Sequence, residues 1–270
     1  MKKETNAERV ILNSVMGKYY HPKGDRLRIE PSGNITDRGT PIGYIIEDCV
    51  DDMWLKYLVL PYDDFRSDKS WKKHKLQLAR AANNFGIRVV FVDEWDIGFN
   101  DGTAFTWTKP IFSNEELLER LIKVAKYSQD KDIKTAACCT TTDSRTPEHC
   151  EDSIIAYTYN QLLNEDSFIH AEKVLVDYVK LLKQTGISVK SKRWISLYEP
   201  CANCVKTMID EDASCIVFGI EHKKKWDTEE YIELTNKLSM KAMRDTKNMV
   251  VYYYMWKNRK VYKFYKKEVR

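Results

Sequence analysis

Apolar positions in the second half of the chain follow two periods, one of about two residues and one of about 3.6. The shorter period predicts strands over 135–142, 153–159, 193–198, 215–219 and 249–255. The longer one predicts helices over 170–184, 201–210 and 227–238, and a further helix that begins at Ser113 or Asn114. Strands that alternate with helices indicate a sheet covered by helices, so residues 113–270 are predicted to form an α/β domain.

Polar and apolar positions are well separated in the helix that begins near Ser113. Glu115 and Glu116 fall in its first turn, where carboxylates oppose the helix dipole. Its apolar stripe, which we expect to face the core, consists of Leu117, Leu118, Leu121, Ile122 and Val124. The pattern changes in the segment before this helix, and this change predicts a domain boundary after residue 112.

The first 112 residues show a weaker pattern of the same kind. It predicts a helix over 8–16, strands over 42–46, 54–60 and 87–92, and a basic amphipathic helix over 70–85 that Gly86 ends. We therefore expect two domains, a smaller α/β domain over 1–112 and the larger one over 113–270.

Composition excludes several classes of protein. The chain has 270 residues, of which 43% are hydrophobic and 31% charged, so it is neither disordered nor of low complexity. No apolar segment is long enough for a membrane helix, and the basic start lacks the apolar region of a signal peptide. The expectation is a cytoplasmic protein with no membrane partner.

Charge is concentrated at the end of the chain. Residues 252–270 carry a net charge of +6, whereas the preceding residues carry −2. Lysines and arginines alternate there with seven aromatic residues, a pattern that suits single-stranded nucleic acid. The alternative is an edge hairpin with a turn near Asn258, whose lysines guard the exposed strand.

Three residues in the larger domain have the chemistry of zinc ligands. His170 begins one predicted helix, and Cys201 and Cys204 begin another. One imidazole and two thiolates leave a fourth tetrahedral position for water, which is the arrangement of a catalytic zinc site. The positive end of the second helix favours the thiolate forms that bind metal. The predicted cofactor is therefore Zn²⁺.

Glu172 gives this predicted site a catalytic character. It lies two positions after His170, close enough to reach a water on the metal without being a ligand. A carboxylate there can take a proton from the water and pass it to a ring nitrogen and a departing amine, which is hydrolytic deamination. The alternative is a closed structural zinc site, for which Cys138, Cys139 or Cys215 would supply the fourth ligand.

The segments HAE at 170–172 and PCANC at 200–204 together resemble the signature of the zinc-dependent cytidine and deoxycytidylate deaminase superfamily. The resemblance covers about residues 113–256, since the predicted strands around it also look like those of the family. It implies a three-layer α/β/α domain with a five-stranded mixed sheet. It also implies that Asn160 binds the sugar of the substrate and that Ala171 contacts the substrate.

The resemblance implies a nucleotide substrate, and we expect dCMP, converted to dUMP and ammonia. One alternative is a deaminase that acts on cytosine or adenine in single-stranded DNA or RNA. Another is a nucleic-acid-binding protein with a structural zinc. The resemblance also suggests a homo-oligomer, because family members are often oligomers.

Two further features remain as hypotheses. His149 and Cys150 suggest a second, structural zinc in a polar loop. The segment 69–95 resembles the end of very-short-patch-repair-like phage endonucleases, in which a basic helix leads into a strand that ends in Asp93, Glu94 and Trp95. This resemblance suggests a domain that contacts DNA or another partner.

Overall fold

The structure is a computed structural model. It describes residues 27–29, 34–37, 40–62, 69–92, 113–131, 133–141, 153–164, 167–184, 192–219, 238, 241–243, 245–246, 249–255 and 260–264. The chain divides into two compact units. Unit 1 contains residues 1–108 and 161–169, and unit 2 contains residues 109–160 and 170–270.

Within the described residues, unit 1 contains one helix and seven strands, which are β1 (Leu27–Ile29), β2 (Asn34–Asp37), β3 (Thr40–Val50), β4 (Met53–Pro61), α1 (Lys69–Asn84), β5 (Arg88–Val92), β8 (Gln161–Leu163) and β9 (Ser167–Ile169). Unit 2 contains α2 (Asn114–Ala125), β6 (Ala136–Thr141), β7 (Ser153–Tyr159), α3 (Ala171–Gln184), β10 (Lys192–Ser196), α4 (Ala202–Asp210), β11 (Ala213–Gly219), β12 (Val250–Met255) and β13 (Lys260–Phe264). Both units are α/β, as the hydrophobic periodicity predicts.

The sheet of unit 2 is mixed and has the strand order β7-β6-β10-β11-β12-β13. β10, β11 and β12 run parallel, and β6 is antiparallel to both of its neighbours. The prediction of five strands was wrong, because β13 pairs antiparallel with β12 and adds a sixth. The end of the chain therefore contains the predicted edge hairpin, since β13 is the last strand of this sheet.

Helix α2 begins with a capping box. The Ser113 hydroxyl accepts from the backbone N–H of Glu116, and the Glu116 carboxylate accepts from the backbone N–H of Ser113. Its buried residues are Leu117, Leu118, Leu121, Val124 and Ala125. Ile122 was wrongly assigned to the buried stripe, because it is 43% exposed. Its place is taken by Ala125, which lies four residues after Leu121 and therefore on the same helix face.

Among the helices described in unit 2, α3 has the most buried residues. Ten of its residues are buried, and they include the charged residues Glu172 and Asp177. It contacts β6, β7 and α4. At the other end of α4, Lys183 of α3 forms an ion pair of 2.9 Å with the buried carboxylate of Glu211. The two helices whose first turns carry the predicted ligands are thus held together along their length.

Unit 1 contains a sheet in the order β1-β2-β3-β4-β5. β3 and β4 form a hairpin whose turn residues, Asp51 and Asp52, have φ angles of 48° and 64°. β4 and β5 are parallel, and α1 connects them as a crossover helix. The strands over 42–46 and 54–60 are confirmed but longer than predicted, and β1 and β2 were not predicted at all.

A buried glutamine fixes the short β8–β9 hairpin inside unit 1. The Gln161 side chain accepts from the Val89 N–H and from the Asn83 amide, and it donates to the Val89 carbonyl at 2.6 Å. The hairpin lies within the chain range of the predicted second domain, but its hydrogen bonds are to residues of the first unit. No periodicity in this short segment signals such a partner.

Some predictions lie outside the described residues. They include the helix over 8–16, almost all of the helix over 227–238, the loop with His149 and Cys150, and the carboxylates Asp93 and Glu94. Within the described part of the chain, no helix is both long and apolar enough to cross a membrane.

Candidate metal centre

His170 lies directly before helix α3. Its backbone carbonyl accepts from the Val174 N–H at 3.1 Å, so it is the last residue before the helix and begins the helical hydrogen bonding. The short strand β9 ends at the residue before it. The backbone on both sides therefore fixes the position of His170. The His170 side chain is half-buried.

The two cysteines lie at the first turn of α4. Cys201 is the N-cap, with φ −65° and ψ 162°, and its carbonyl accepts from the Val205 N–H at 2.9 Å. Its side chain caps no N–H group, so the sulfur is not held by its own helix. Cys204 lies one turn later and is buried. Residues three apart share a helix face, so both sulfurs point to the same side.

These three side chains meet. The Nδ1 atom of His170 is 3.7 Å from the Cys201 sulfur and 3.5 Å from the Cys204 sulfur. All three ligand atoms lie within 4.8 Å of one another, and they form a group that could hold a metal ion. In tetrahedral zinc sites with ordinary bond lengths, the nitrogen-to-sulfur separation is about 3.6 Å. The donor set and its spacing therefore fit Zn²⁺.

A hydrogen bond between the two sulfurs shifts their pKa values in opposite directions. The hydrogen bond from Cys204 lowers the pKa of Cys201 to about 3, against the opposing effect of burial and with further help from His170. The same hydrogen bond, together with burial and the charge of Glu172, raises the pKa of Cys204. Cys201 is therefore the sulfur that forms the thiolate more readily, and the thiolate is the form that binds metal.

Glu172 lies in the first turn of α3 and is only 5% exposed. Its Oε1 atom accepts a hydrogen bond of 2.6 Å from the hydroxyl of Ser196, the last residue of β10. It lies close enough to Cys204 to affect the pKa of that thiol. A buried carboxylate beside a metal-ligand group is well placed to move protons.

Ser196 was missed by the sequence analysis. The signal available was a lone polar residue at the end of the strand RWIS, which is otherwise apolar from Trp194 onward. Such a residue is more often a surface position at a strand end. Only the pairing of β10 with both β6 and β11 makes it a buried one.

Asn160 lies at the end of β7 and is 1% exposed. Its Oδ1 accepts from the Thr135 N–H, and its Nδ2 donates to Asp130 Oδ2 and to the Ile133 carbonyl at 2.7 Å. Its backbone carbonyl accepts from the Ser128 hydroxyl. These contacts anchor the segment between α2 and β6, and the role of Asn160 toward a sugar stays a prediction.

The remaining candidates are placed as follows. Ala171 is fully buried at the first position of α3, between His170 and Glu172. Cys138 and Cys139 are buried in β6, and Cys215 is buried in β11. Among the described residues, the group that could hold a metal consists of His170, Cys201 and Cys204 and includes none of these three cysteines.

Comparison with known proteins identifies this part of the chain. A family model described as the cytidine and deoxycytidylate deaminase zinc-binding region matches residues 112–220. This range contains the three ligand residues and Glu172. No curated protein gives a significant match to the chain.

Two solved structures illustrate the similarity. The dCMP deaminase from the cyanophage S-TIM5 in its apo form is 16% identical, with a TM-score of 0.33 over 47% of this chain and 91% of that one. The same deaminase in complex with dCMP and dUMP is 16% identical, with a TM-score of 0.35 over 52% of this chain and 94% of that one.

Proposed function

We propose that this chain is a zinc hydrolase that deaminates a cytosine base. The premise is that, through residues 112–220, the chain belongs to the cytidine and deoxycytidylate deaminase superfamily. The substrate we propose is dCMP, which would yield dUMP and ammonia. The single observation that carries the proposal is a buried carboxylate, Glu172, beside one imidazole and two sulfurs at zinc-ligand spacing.

The proposed roles follow from the chemistry of these groups. His170, Cys201 and Cys204 would hold Zn²⁺, which when bound polarises a water molecule and lowers its pKa to about 7. Glu172 would take a proton from this water and deliver it to N3 of the ring. The water oxygen bonds to C4, the bond from C4 to the exocyclic nitrogen breaks, and a second proton passes through Glu172 to the departing ammonia.

The surroundings of the three ligands support a catalytic rather than a structural zinc. A closed site needs a fourth protein ligand, and Cys138, Cys139 and Cys215 are all outside the ligand group. A structural site also has no use for a buried, ionisable Glu172. Burying a carboxylate is costly even with the hydrogen bond that Ser196 donates to it, and a proton-transfer role explains why the chain tolerates it.

Asn160 fits the proposal in a restricted way. Both N–H groups of its amide are occupied by Asp130 and Ile133, and one lone pair of Oδ1 is occupied by Thr135. The second lone pair of Oδ1 is its remaining capacity. We therefore propose that Asn160 accepts a hydrogen bond from a sugar hydroxyl and donates none.

The test is a substrate panel with the full chain loaded with zinc. Cytidine, deoxycytidine, dCMP, dCTP, AMP and a single-stranded oligonucleotide with cytosine and adenine would be incubated separately, and ammonia and the product base measured. We expect release of ammonia from dCMP in equal amount to dUMP. Conversion of the oligonucleotide alone would favour the polynucleotide alternative, and no ammonia from any substrate would overturn the proposal.

The matched variant is Glu172→Gln, which keeps the shape of the side chain and removes its basicity. We expect the rate on dCMP to fall by about 10³-fold or more, because general acid–base catalysis is lost, while bound zinc stays unchanged. Glu119→Gln on the exposed face of α2 is the control for loss of one carboxylate. Activity retained in Glu172→Gln would refute the assigned role.

A further inference from the structure

The hydroxyl of Ser196 donates a hydrogen bond of 2.6 Å to Oε1 of the Glu172 carboxylate. Both groups are buried, with exposed fractions of 3% and 5%. A short bond between a hydroxyl and a carboxylate oxygen is charge-assisted and stronger than a neutral one. Its length indicates that Ser196 holds one specific oxygen of Glu172.

We propose that Ser196 is a positioning residue for the deamination, which fixes the Glu172 carboxylate so that its second oxygen carries the transferred proton. The inference rests on the proposed function and adds a residue to it. Glu172 belongs to α3, whereas Ser196 belongs to β10 in the interior of the sheet. The bond therefore ties a side chain with several rotatable bonds to a rigid strand.

The hydrogen bond from Ser196 gives the two carboxylate oxygens of Glu172 different roles. Oε1 accepts from Ser196, so we assign Oε2 to the proton that moves between water, N3 and the departing ammonia. The torsion that turns a carboxylate is broad, and nothing in the glutamate itself fixes the orientation of its plane. Without the serine, the carboxylate spends part of its time turned away from the reacting atoms, and the rate falls without a change in substrate binding.

The residues around Ser196 allow its positioning role to be distinguished from a merely structural one. β10 is held by β6 on one side and by β11 on the other, and Trp194 and Ile195 in the same strand are fully or almost fully buried. Loss of one hydroxyl at the end of this strand leaves its backbone pairing and its apolar contacts unchanged. Ser196→Ala is therefore expected to fold.

The experiment compares Ser196→Ala, Ser196→Thr and the control Ser214→Ala in the zinc-loaded full chain. For Ser196→Ala we expect kcat on dCMP to fall by about 10- to 100-fold, because the carboxylate loses its orientation, with KM and zinc content unchanged. Ser196→Thr keeps the hydroxyl and should restore most of the rate. Equal kcat in Ser196→Ala and the unmodified chain would overturn the proposal.

A second readout does not depend on turnover. A nucleotide whose C4 is tetrahedral and hydroxylated mimics the reacting ring, and it should bind Ser196→Ala more weakly by the same factor as kcat falls. Affinity for the product dUMP should not change. Equal loss of affinity for both ligands would indicate a structural role and overturn the proposal.

A double-mutant cycle separates this inference from the function on which it rests. In the Glu172→Gln background, Ser196→Ala should cost nothing further, because its effect acts through the carboxylate. An additive loss would overturn the positioning role while leaving Glu172 as the proton carrier. If the unmodified chain releases no ammonia from any substrate, the proposed function fails first. If Ser196→Ala does not fold, Ser196→Cys, with its weaker donor, should give an intermediate loss of rate.

Discussion

Two buried polar clusters in unit 2 use similar side chains for different purposes. The metal cluster consists of His170, Cys201, Cys204, Glu172 and Ser196. The amide cluster consists of Ser128, Asp130, Ile133, Thr135 and Asn160. In the amide cluster, the polar groups of Asn160 are hydrogen-bonded to Ser128, Asp130, Ile133 and Thr135. In the metal cluster, three electron-pair donors converge within 4.8 Å of one another.

This difference indicates which cluster stabilises the fold and which one binds a ligand. The folded state loses stability when one partner of a hydrogen bond within the chain is removed. Three converging electron-pair donors gain from a metal cation placed between them, because all three can bind it at once. Mutations in the amide cluster should therefore lower stability, with a further loss of substrate binding at Asn160, whereas mutations in the metal cluster should lower zinc binding and activity.

The largest expected effect is in the metal cluster. Cys204→Ala removes the buried ligand, and we expect bound zinc to fall from about one ion per chain to nearly none, with loss of deamination. Elemental analysis of the purified protein checks the first outcome. Cys49→Ser, which removes an exposed thiol from unit 1, should keep its zinc. Zinc retained in Cys204→Ala would remove the basis of the comparison.

The next effect concerns the amide cluster. Asn160→Leu removes the hydrogen bonds of Asn160 to the Thr135 N–H, the Ile133 carbonyl and Asp130 Oδ2. We expect unit 2 to lose about 3 kcal/mol of its free energy of unfolding. Denaturant unfolding measures this loss, with Gln184→Ala, an exposed amide at the end of α3, as control.

The folded fraction of Asn160→Leu should keep its zinc, since none of the three ligands contacts the amide in the hydrogen bonds described for Asn160. Loss of zinc without loss of stability would mean that the two clusters are not separate in function.

The smallest expected effect tests how burial changes the stability cost of a lost hydrogen bond. Ser113 and Glu116 at the start of α2 also satisfy one another, but they are exposed. Ser113→Ala should cost about 1 kcal/mol, less than Asn160→Leu, because water replaces the lost partner. Thermal unfolding measures the difference. If Ser113→Ala and Asn160→Leu lowered the free energy of unfolding equally, burial would not be what makes the second substitution more costly.

The same capping box has a defined pH dependence. Hydrogen bonds from the backbone and hydroxyl of Ser113 hold the pKa of Glu116 below its ordinary value of 4.5. A carboxyl whose pKa is lowered in the folded state contributes its stability above its ordinary pKa and loses it as the pH falls through the lowered value. The cost of Ser113→Ala should therefore shrink in acid.

The helices and strands of unit 2 could largely be predicted because their hydrophobic periods are regular. The strand over 153–159 and the helix ending at Gln184 match the structure, and the capping residue of α2 was one of the two expected. The prediction that Ile122 is buried was wrong, because periodicity gives the direction of the apolar stripe on a helix but not its width. The pattern of the sixth strand does not decide between two structures, because basic and aromatic residues suit both an edge strand and a nucleic-acid surface.

Unit 1 shows the opposite case. Its strands could be predicted only in part, since β1, β2, β8 and β9 are three or four residues long and carry too few residues for a period to appear. The Gln161 hydrogen bonds join residues 72 and 78 positions apart, and no local pattern encodes such a partner. A specific function for this unit does not follow from its described residues.

By itself, the sequence predicted the ligand set of the centre, because one imidazole and two thiols are the donors that Zn²⁺ prefers. It determined the alternation of helices and strands, because backbone geometry sets the two periods. Only the tertiary structure decided that Ser196 reaches Glu172 and that the amide of Asn160 is already occupied. Both depend on which strands lie side by side, and this is settled by contacts between residues far apart in the chain.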